Sequence, residues 1–206
     1  MKLKKSSLIY VIGVVAVVLL VFFIINNKKT HKIAISIPAN NLDITYGVDT
    51  APIQIVMYSD YSCSYCNKFL KSVLPLIKEK YIKKGKVKFT IKLLTFSSNS
   101  SLNNAYKAAI CLNKYGNFDK FNELLLLEPK AVFSEQFDEL IDSYINRNTY
   151  FAECMLSGKA ESYLSENLQQ FYDNKFKVTP MFIINNRVYA GFVGYELLCE
   201  IINKQL

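Results

Sequence analysis

Two cysteines separated by two residues stand where an apolar stretch of the chain gives way to a helical pattern. The pair is Cys63-Ser64-Tyr65-Cys66, and residues 53–58 before it are largely apolar and rich in β-branched side chains, as in a buried strand. After the pair, apolar residues recur at helical spacing at Phe69, Val73, Leu74 and Ile77. The pair is therefore predicted at a strand-to-helix junction, where free backbone N–H groups and the helix dipole favour a reactive thiolate.

This cysteine pair has three chemical interpretations. A zinc site needs a second cluster of ligands, but the other cysteines are isolated in the sequence and the sole histidine is His31. A purely structural disulfide between Cys63 and Cys66 would close a very short loop, and short loops gain little stabilisation from lost chain entropy. The sequence therefore predicts a redox pair, with Cys63 and Cys66 as the catalytic residues and with no metal.

An uncharged, strongly apolar segment covers residues 8–25. As a helix it would extend roughly 27 Å, close to the thickness of about 30 Å of a membrane hydrocarbon core. A cleaved signal peptide usually has an apolar stretch of only about 7–15 residues and a small-x-small cleavage site, and this segment is longer and lacks such a site. We therefore expect an uncleaved transmembrane helix over residues 8–25, with residues 1–7 as a short cytoplasmic tail.

The formal net charge of +8 arises mainly at the flanks of this apolar segment. Lysines precede and follow it at Lys2, Lys4, Lys5, Lys28, Lys29 and Lys32. The rest of the chain is close to electrically balanced, so the excess is typical of a membrane flank rather than of a nucleic-acid-binding surface. We expect no nucleic-acid partner.

The remaining sequence divides into a polar linker, residues 26–49, and a folded domain, residues 50–206. The first part of the domain predicts a βαβ unit with a parallel strand pair: strand 53–59, a helix from 63 to about 83 that Pro75 kinks, and strand 87–94. The middle part shows only amphipathic helices, at about 101–115, 118–126, 134–144, 148–156 and 160–173. The last part predicts a β-hairpin and a helix: strands 181–184 and 187–190 around Asn185-Asn186, then a helix over 195–204.

Three elements of the sequence together resemble the bacterial DsbA-like thiol:disulfide oxidoreductases. They are the stretch 57–69 around the cysteine pair, Val178-Thr179-Pro180 before the late hairpin, and Tyr189-Ala190-Gly191-Phe192 before the last helix. The resemblance covers residues 50–206. It implies an α/β, thioredoxin-like fold made of residues 50–96 and 175–206, with an inserted helical subdomain over residues 97–174, all preceded by the transmembrane helix.

The resemblance also assigns roles to residues around the pair. It implies that the Thr179–Pro180 bond is cis and faces the disulfide. Thr179 and Pro180, together with Ser64 and Tyr65, are then the expected substrate-binding residues.

The implied function is the introduction of disulfide bonds into exported polypeptides through Cys63 and Cys66, without a cofactor. The expected partners are unfolded or reduced exported polypeptides and a quinone-linked membrane protein that re-oxidises the pair. The expected location is the bacterial inner membrane, with a single-pass anchor and the catalytic domain in the periplasm.

Two alternatives stay open at this point. Ser64-Tyr65 stand where the strongest oxidants of the family carry Pro and His, and Leu70 stands where the prototype has an acidic residue. The redox potential is therefore open, and a disulfide reductase or isomerase of the same fold is the first alternative. A metallochaperone-type binding module is the second, with Met181 as its one nearby candidate ligand.

Four further residues carry predictions. Asp60, three residues before Cys63, is a candidate proton relay or N-cap, with an ordinary turn residue as the alternative. Cys111 and Cys154 lie on two predicted helices of the insertion, where some DsbA-like proteins have a second disulfide. In an oxidising compartment such a bridge would contribute about 2–4 kcal/mol, and two separate buried thiols are the alternative. Cys199, among apolar neighbours, is predicted to be a buried free thiol.

Overall fold

The computed structural model describes residue 35 and residues 37–206. The predicted cytoplasmic tail, residues 1–7, and the predicted transmembrane helix, residues 8–25, lie outside these residues. Among the helices that are described, none is both long enough and apolar enough to cross a membrane.

A mixed five-stranded sheet forms the centre of the fold, with the strand order β1-β3-β2-β4-β5. The strands are β1 (Ile44–Tyr46), β2 (Ile53–Ser59), β3 (Val87–Leu93), β4 (Met181–Ile184) and β5 (Arg187–Ala190). The pair β2–β3 is parallel and the other neighbours are antiparallel. The predicted βαβ unit and the predicted hairpin are therefore both confirmed, because each is encoded by a periodic run of apolar residues.

Eight α-helices are present in the described part of the chain. They are α1 (Ser64–Ser72), α2 (Leu74–Ile77), α3 (Ser100–Tyr115), α4 (Phe118–Leu127), α5 (Glu135–Arg147), α6 (Thr149–Leu156), α7 (Lys159–Asp173) and α8 (Tyr195–Asn203). A π-helical turn (Lys78–Ile82) follows α2, and a 3₁₀-helix (Pro129–Phe133), which no pattern in the sequence predicted, precedes α5.

The helix predicted from residue 63 to about residue 83 is interrupted before Pro75. The first segment ends at Ser72, and Pro75 lies in the first turn of α2. Proline has no N–H to donate to the preceding turn, but it is tolerated in a first turn, where that N–H would be unpaired. The expected kink is therefore a break between two helices.

Residues Ile44–Tyr46, which were predicted to belong to the linker over 26–49, form the edge strand β1. They pair antiparallel with β3, with Ile44 opposite Ile91, and the Ile44 side chain is fully buried. Three residues are too short to show a strand period, so the pairing with a distant strand decides this segment. The assignment of these residues to an irregular linker was wrong.

The two faces of the sheet bury two separate apolar clusters. Alternate side chains of β2 show the division, since Ile55 and Met57 pack in the cluster that contains Cys66, whereas Val56 and Tyr58 pack in the other. The helix that carries the cysteine pair therefore covers the face to which odd-numbered residues of β2 point.

A disulfide crosslinks two helices of the helical segment between β3 and β4. It joins Cys111 of α3 to Cys154 of α6, with a Cα–Cα distance of 5.8 Å and a sequence separation of 43 residues. Cys199 is a free, buried thiol of α8.

Replacing Cys111 and Cys154 together with alanine is expected to lower the free energy of unfolding by about 2–4 kcal/mol, because the unfolded chain regains the entropy of an open loop. Urea denaturation of the oxidised proteins measures the difference. Under reducing conditions the difference should fall to the packing effect of the two lost sulfur atoms. A difference that does not depend on the redox state would contradict a crosslinking role.

Candidate active site

Cys63 and Cys66 occupy different positions at the start of α1. Cys63 is the N-cap residue, in an extended conformation, and its N–H donates to the Asp60 carbonyl at 3.0 Å. The Cys63 carbonyl in turn accepts from the Asn67 N–H at 3.0 Å. Cys66 lies one turn further on, within the first turn of the helix. The structure therefore places both sulfurs at the strand-to-helix junction at the end of β2.

The two thiols differ in exposure. Cys63 is half-buried, whereas Cys66 has 0% of its surface exposed, and both are free thiols. Burial raises the pKa of the Cys66 thiol because it disfavours the charged thiolate, and the neighbouring Cys63 adds to this effect. The backbone of Asp60 and the side chain of Ser59 act in the opposite direction. Cys63 is thus the sulfur that an external thiol can reach.

The loop before β4, which contains Thr179 and Pro180, contacts Cys63. The Thr179–Pro180 peptide bond is cis, as the resemblance implies, and the Cys63 thiol donates to the Thr179 carbonyl at 3.3 Å. The Pro180 carbonyl accepts from the Gly191 N–H at 2.9 Å, which ties this loop to the end of β5. Thr179 and Pro180 are therefore brought together with Cys63, although more than a hundred residues separate them in the sequence.

Two aromatic side chains, Tyr65 and Phe192, lie close together next to the pair. Tyr65 is 59% exposed, and its ring centroid lies 6.3 Å from that of Phe192. The ammonium group of Lys68 lies 4.8 Å from the Phe192 centroid. Tyr61, a neighbour of the pair in sequence, is instead buried, and its hydroxyl donates to the Asn122 side chain at 2.7 Å.

An apolar groove of about 390 Å³ lies next to the pair, and neither Tyr65 nor Phe192 lines it. It runs between the start of α1, helices α3 and α4, and the 3₁₀-helix, and Ser64 forms part of its wall. Phe133, which is 61% exposed, lines the outer part of the groove. Ser64 and Tyr65 therefore face two different surfaces.

Asp60 anchors the loop between β2 and α1. It is 2% exposed, and its Oδ1 accepts from the Ser62 N–H at 2.7 Å, from the Ser62 hydroxyl at 2.6 Å and from the Tyr106 hydroxyl. The N-cap alternative for Asp60 was wrong, because Cys63 is the N-cap residue, and its side chain makes no capping hydrogen bond. The predicted role of Asp60 as a proton relay stays a prediction.

Tyr106 of α3 is the partner that connects this loop to the helical segment. Burial and the Asp60 carboxylate both raise the pKa of Tyr106, so its hydroxyl stays protonated and donates to the carboxylate. Neither Tyr106 nor Ser59 was predicted as a site residue. The period-2 pattern of β2 could have placed Ser59 on the face of Cys66, but no local signal places Tyr106 beside Asp60, 46 residues away in sequence.

Replacing Tyr106 with phenylalanine is expected to lower the free energy of unfolding by about 1.5–3 kcal/mol, the usual contribution of a hydrogen bond to a charged group. Guanidinium denaturation measures this difference. Tyr150→Phe is the matched control, because Tyr150 is 67% exposed. Equal stability of the two variants would show that the Asp60 contact does not hold the loop.

Met181, the ligand on which the metal-binding alternative rests, does not face the cysteines. It packs with Tyr58 and Phe171 in the cluster on the opposite face of the sheet. Within residues 37–206 there is no group of three or more His, Cys, Asp and Glu side chains able to hold a metal ion.

A sheet that carries a cysteine pair after β2 and a cis-proline before β4 defines the thioredoxin-like class, here with helices inserted between β3 and β4. The family model described as thioredoxin matches residues 39–204. The chain therefore belongs to the thioredoxin family.

Two Bacillus proteins are similar in sequence. "Probable disulfide bond formation protein D" of Bacillus anthracis is 33% identical over 140 residues, which cover 67% of this chain and 64% of the relative. "Disulfide bond formation protein D" of Bacillus subtilis is 25% identical over 167 residues, covering 78% and 75%. The chain thus spans less than two thirds of the length of the first of these relatives.

One solved structure with the same fold is that of Wolbachia pipientis alpha-DsbA1. It matches with a TM-score of 0.66 and 21% sequence identity, over 82% of this chain and 92% of that chain. Identity at this level establishes a shared fold, and the predicted DsbA-like architecture is confirmed in this sense.

Proposed function

We propose that this protein is a thiol:disulfide oxidoreductase that introduces disulfide bonds into exported polypeptides. The observation that carries the proposal is the contact of 3.3 Å between the Cys63 sulfur and the Thr179 carbonyl, next to a cis-proline. Such a contact holds the accessible sulfur of a redox pair beside backbone groups that an extended polypeptide can use.

The reaction begins with the Cys63–Cys66 pair in its oxidised form. A substrate thiolate attacks Cys63, because Cys66 is fully buried. The new bond joins the substrate sulfur to Cys63, the bond between Cys63 and Cys66 breaks, and its electron pair passes to Cys66. A second substrate thiolate then attacks the substrate sulfur of the mixed disulfide, which releases Cys63 as a thiolate and leaves a disulfide in the substrate.

The surfaces around the pair support a polypeptide as the substrate. The Thr179 carbonyl lies beside Cys63, the exposed ring of Tyr65 lies near the half-buried ring of Phe192, and a separate apolar groove is lined in part by Ser64. An unfolded polypeptide presents both backbone groups and apolar side chains to such a surface. The proposal therefore assigns substrate binding to Ser64, Tyr65, Thr179 and Pro180.

The disulfide between Cys111 and Cys154 supports a location on the exported side of a membrane, because disulfides persist in oxidising compartments. The proposal accordingly includes the membrane anchor over residues 8–25 and a periplasmic catalytic domain. Each turnover leaves Cys63 and Cys66 reduced, so a membrane oxidant, by resemblance a quinone-linked protein, has to accept their electrons.

The proposal is tested by mixing the oxidised protein with a reduced peptide that contains two cysteines. We expect transfer of the disulfide to the peptide, and loss of that transfer in Cys63→Ala. Cys199→Ala is the matched control, since it removes a buried free thiol elsewhere and should leave transfer intact. Transfer by Cys63→Ala at the wild-type rate, or no transfer by the wild type, would overturn the proposal.

Equilibration of the pair with a glutathione buffer decides the direction of the reaction. An oxidase requires a potential well above that of thioredoxin, about −270 mV. A value at or below that of thioredoxin would instead identify a reductase.

A further inference from the structure

Ser59 is the last residue of β2, and its side chain points to the same face of the sheet as Met57 and Ile55. Side chains of a strand alternate between the two faces, and Ile55 and Met57 pack in the cluster that contains Cys66. The Ser59 backbone is fixed as well, because its carbonyl accepts from the Leu94 N–H at 3.0 Å. The hydroxyl therefore lies on the face of the sheet that α1 covers.

This hydroxyl is buried without a hydrogen-bond partner. Ser59 is 0% exposed, and its Oγ makes no hydrogen bond to any residue that the structure describes. A buried donor without an acceptor destabilises a fold. The Ser59 side chain opposes the effect of burial on the Cys66 pKa, so it lies close to the Cys66 thiol, but the contact lacks the geometry of a hydrogen bond while the pair is reduced.

A change of charge on the Cys66 sulfur explains why an unpaired hydroxyl is found here. A protonated thiol is a weak hydrogen-bond acceptor, whereas a thiolate accepts a strong, charge-assisted hydrogen bond. The Cys66 sulfur gains a negative charge when the Cys63–Cys66 bond breaks, and it does so in a site with no contact to solvent.

We propose that Ser59 is the group that stabilises Cys66 as the leaving thiolate, by donating its hydroxyl proton in a hydrogen bond to the Cys66 sulfur. This inference rests on the proposed function of the pair. In the step concerned, an external thiolate bonds to Cys63 and the Cys63–Cys66 bond breaks. The electron pair of that bond passes to Cys66, and the resulting thiolate accepts a hydrogen bond from the Ser59 hydroxyl. The same contact acts in reverse when the Cys66 thiolate attacks a mixed disulfide on Cys63.

The test uses oxidised full-length protein and reduced glutathione, with acid quenching and mass spectrometry to follow the mixed disulfide. Ser59→Ala is expected to slow the attack of glutathione on the Cys63–Cys66 disulfide roughly ten- to hundredfold. Ser59→Thr, which keeps a hydroxyl, should recover much of the rate. Thr90→Val is the matched control, since it removes a buried hydroxyl of the neighbouring strand β3 and should leave the rate unchanged.

A stability measurement separates this role from a structural one. Because the hydroxyl has no partner in the reduced protein, Ser59→Ala should leave the midpoint of urea denaturation of the reduced protein unchanged or raised. Reduced stability together with an unchanged rate of attack by glutathione would overturn the proposal.

A second background shows whether the effect passes through Cys66. In Cys66→Ala, a glutathione mixed disulfide on Cys63 can be cleaved by dithiothreitol without any contribution from residue 66. Adding Ser59→Ala to this variant should not change the cleavage rate, and an equal slowing there would overturn the proposal. Because these probes are small thiols, a wild type that fails to oxidise peptides would refute the proposed function while leaving the test of Ser59 intact.

Discussion

Replacing Asp43 with alanine is expected to lower the free energy of unfolding by about 3–5 kcal/mol, because the change leaves a buried ammonium group without its partner. Asp43 Oδ1 accepts from Lys92 Nζ at 2.9 Å and from the Tyr163 hydroxyl at 2.8 Å. The side chains of Lys92 and Asp43 are only 1% and 5% exposed. The contact therefore joins the segment before β1 to the sheet and to α7.

Guanidinium denaturation monitored by circular dichroism measures this loss. Asp49→Ala is the matched control, because Asp49 forms an ion pair with Lys88 but its side chain is 90% exposed, so no measurable loss is expected. The double change of Asp43→Leu with Lys92→Met should recover much of the stability, since it removes both buried charges. An Asp43→Ala protein as stable as Asp49→Ala would show that the buried ion pair does not hold this segment.

The segment around Asp43 also shows where prediction from the sequence stops. β2, β3 and the hairpin were predicted because each carries its own period of apolar residues. β1 has only three residues, and it exists because β3 offers it a pairing edge and because Ile44 is buried there. The strand with which residues 44–46 pair lies more than forty residues away in the sequence, so these residues were predicted to be part of the linker.

The candidate site divides in the same way. Cys63, Cys66 and Thr179-Pro180 could be recognised from the sequence because they belong to short sequence motifs. The hydrogen bond of Tyr106 to Asp60 and the position of Ser59 against Cys66 depend on how α1 and α3 pack on the sheet. The N-cap role predicted for Asp60 failed for a related reason, since the helix begins one turn later than the Asp60 position requires.

Replacing Cys66 with alanine is expected to trap a peptide on Cys63 as a stable mixed disulfide. When Cys63 attacks an activated disulfide on a peptide cysteine, the adjacent Cys66 normally attacks Cys63 in turn and releases the peptide. Because Cys66 lies in the first turn of α1, three residues after Cys63, this step is intramolecular, and its loss should lengthen the lifetime of the adduct by at least about 100-fold. Acid-quenched mass spectrometry measures the lifetime, and Cys199→Ala, which keeps both cysteines of the pair, should behave as the wild type.

The rate of peptide release from the wild type should also depend on pH. We expect it to increase with pH, because Cys66 is buried. Burial raises the pKa of this thiol above its ordinary range, so near neutral pH most Cys66 side chains are protonated and unreactive. The reactive thiolate fraction, and with it the release rate, should rise about tenfold per pH unit below that raised pKa. A release rate that is flat between about pH 6 and about pH 8, or an adduct on Cys66→Ala that decays as fast as on the wild type, would contradict Cys66 as the buried partner of Cys63.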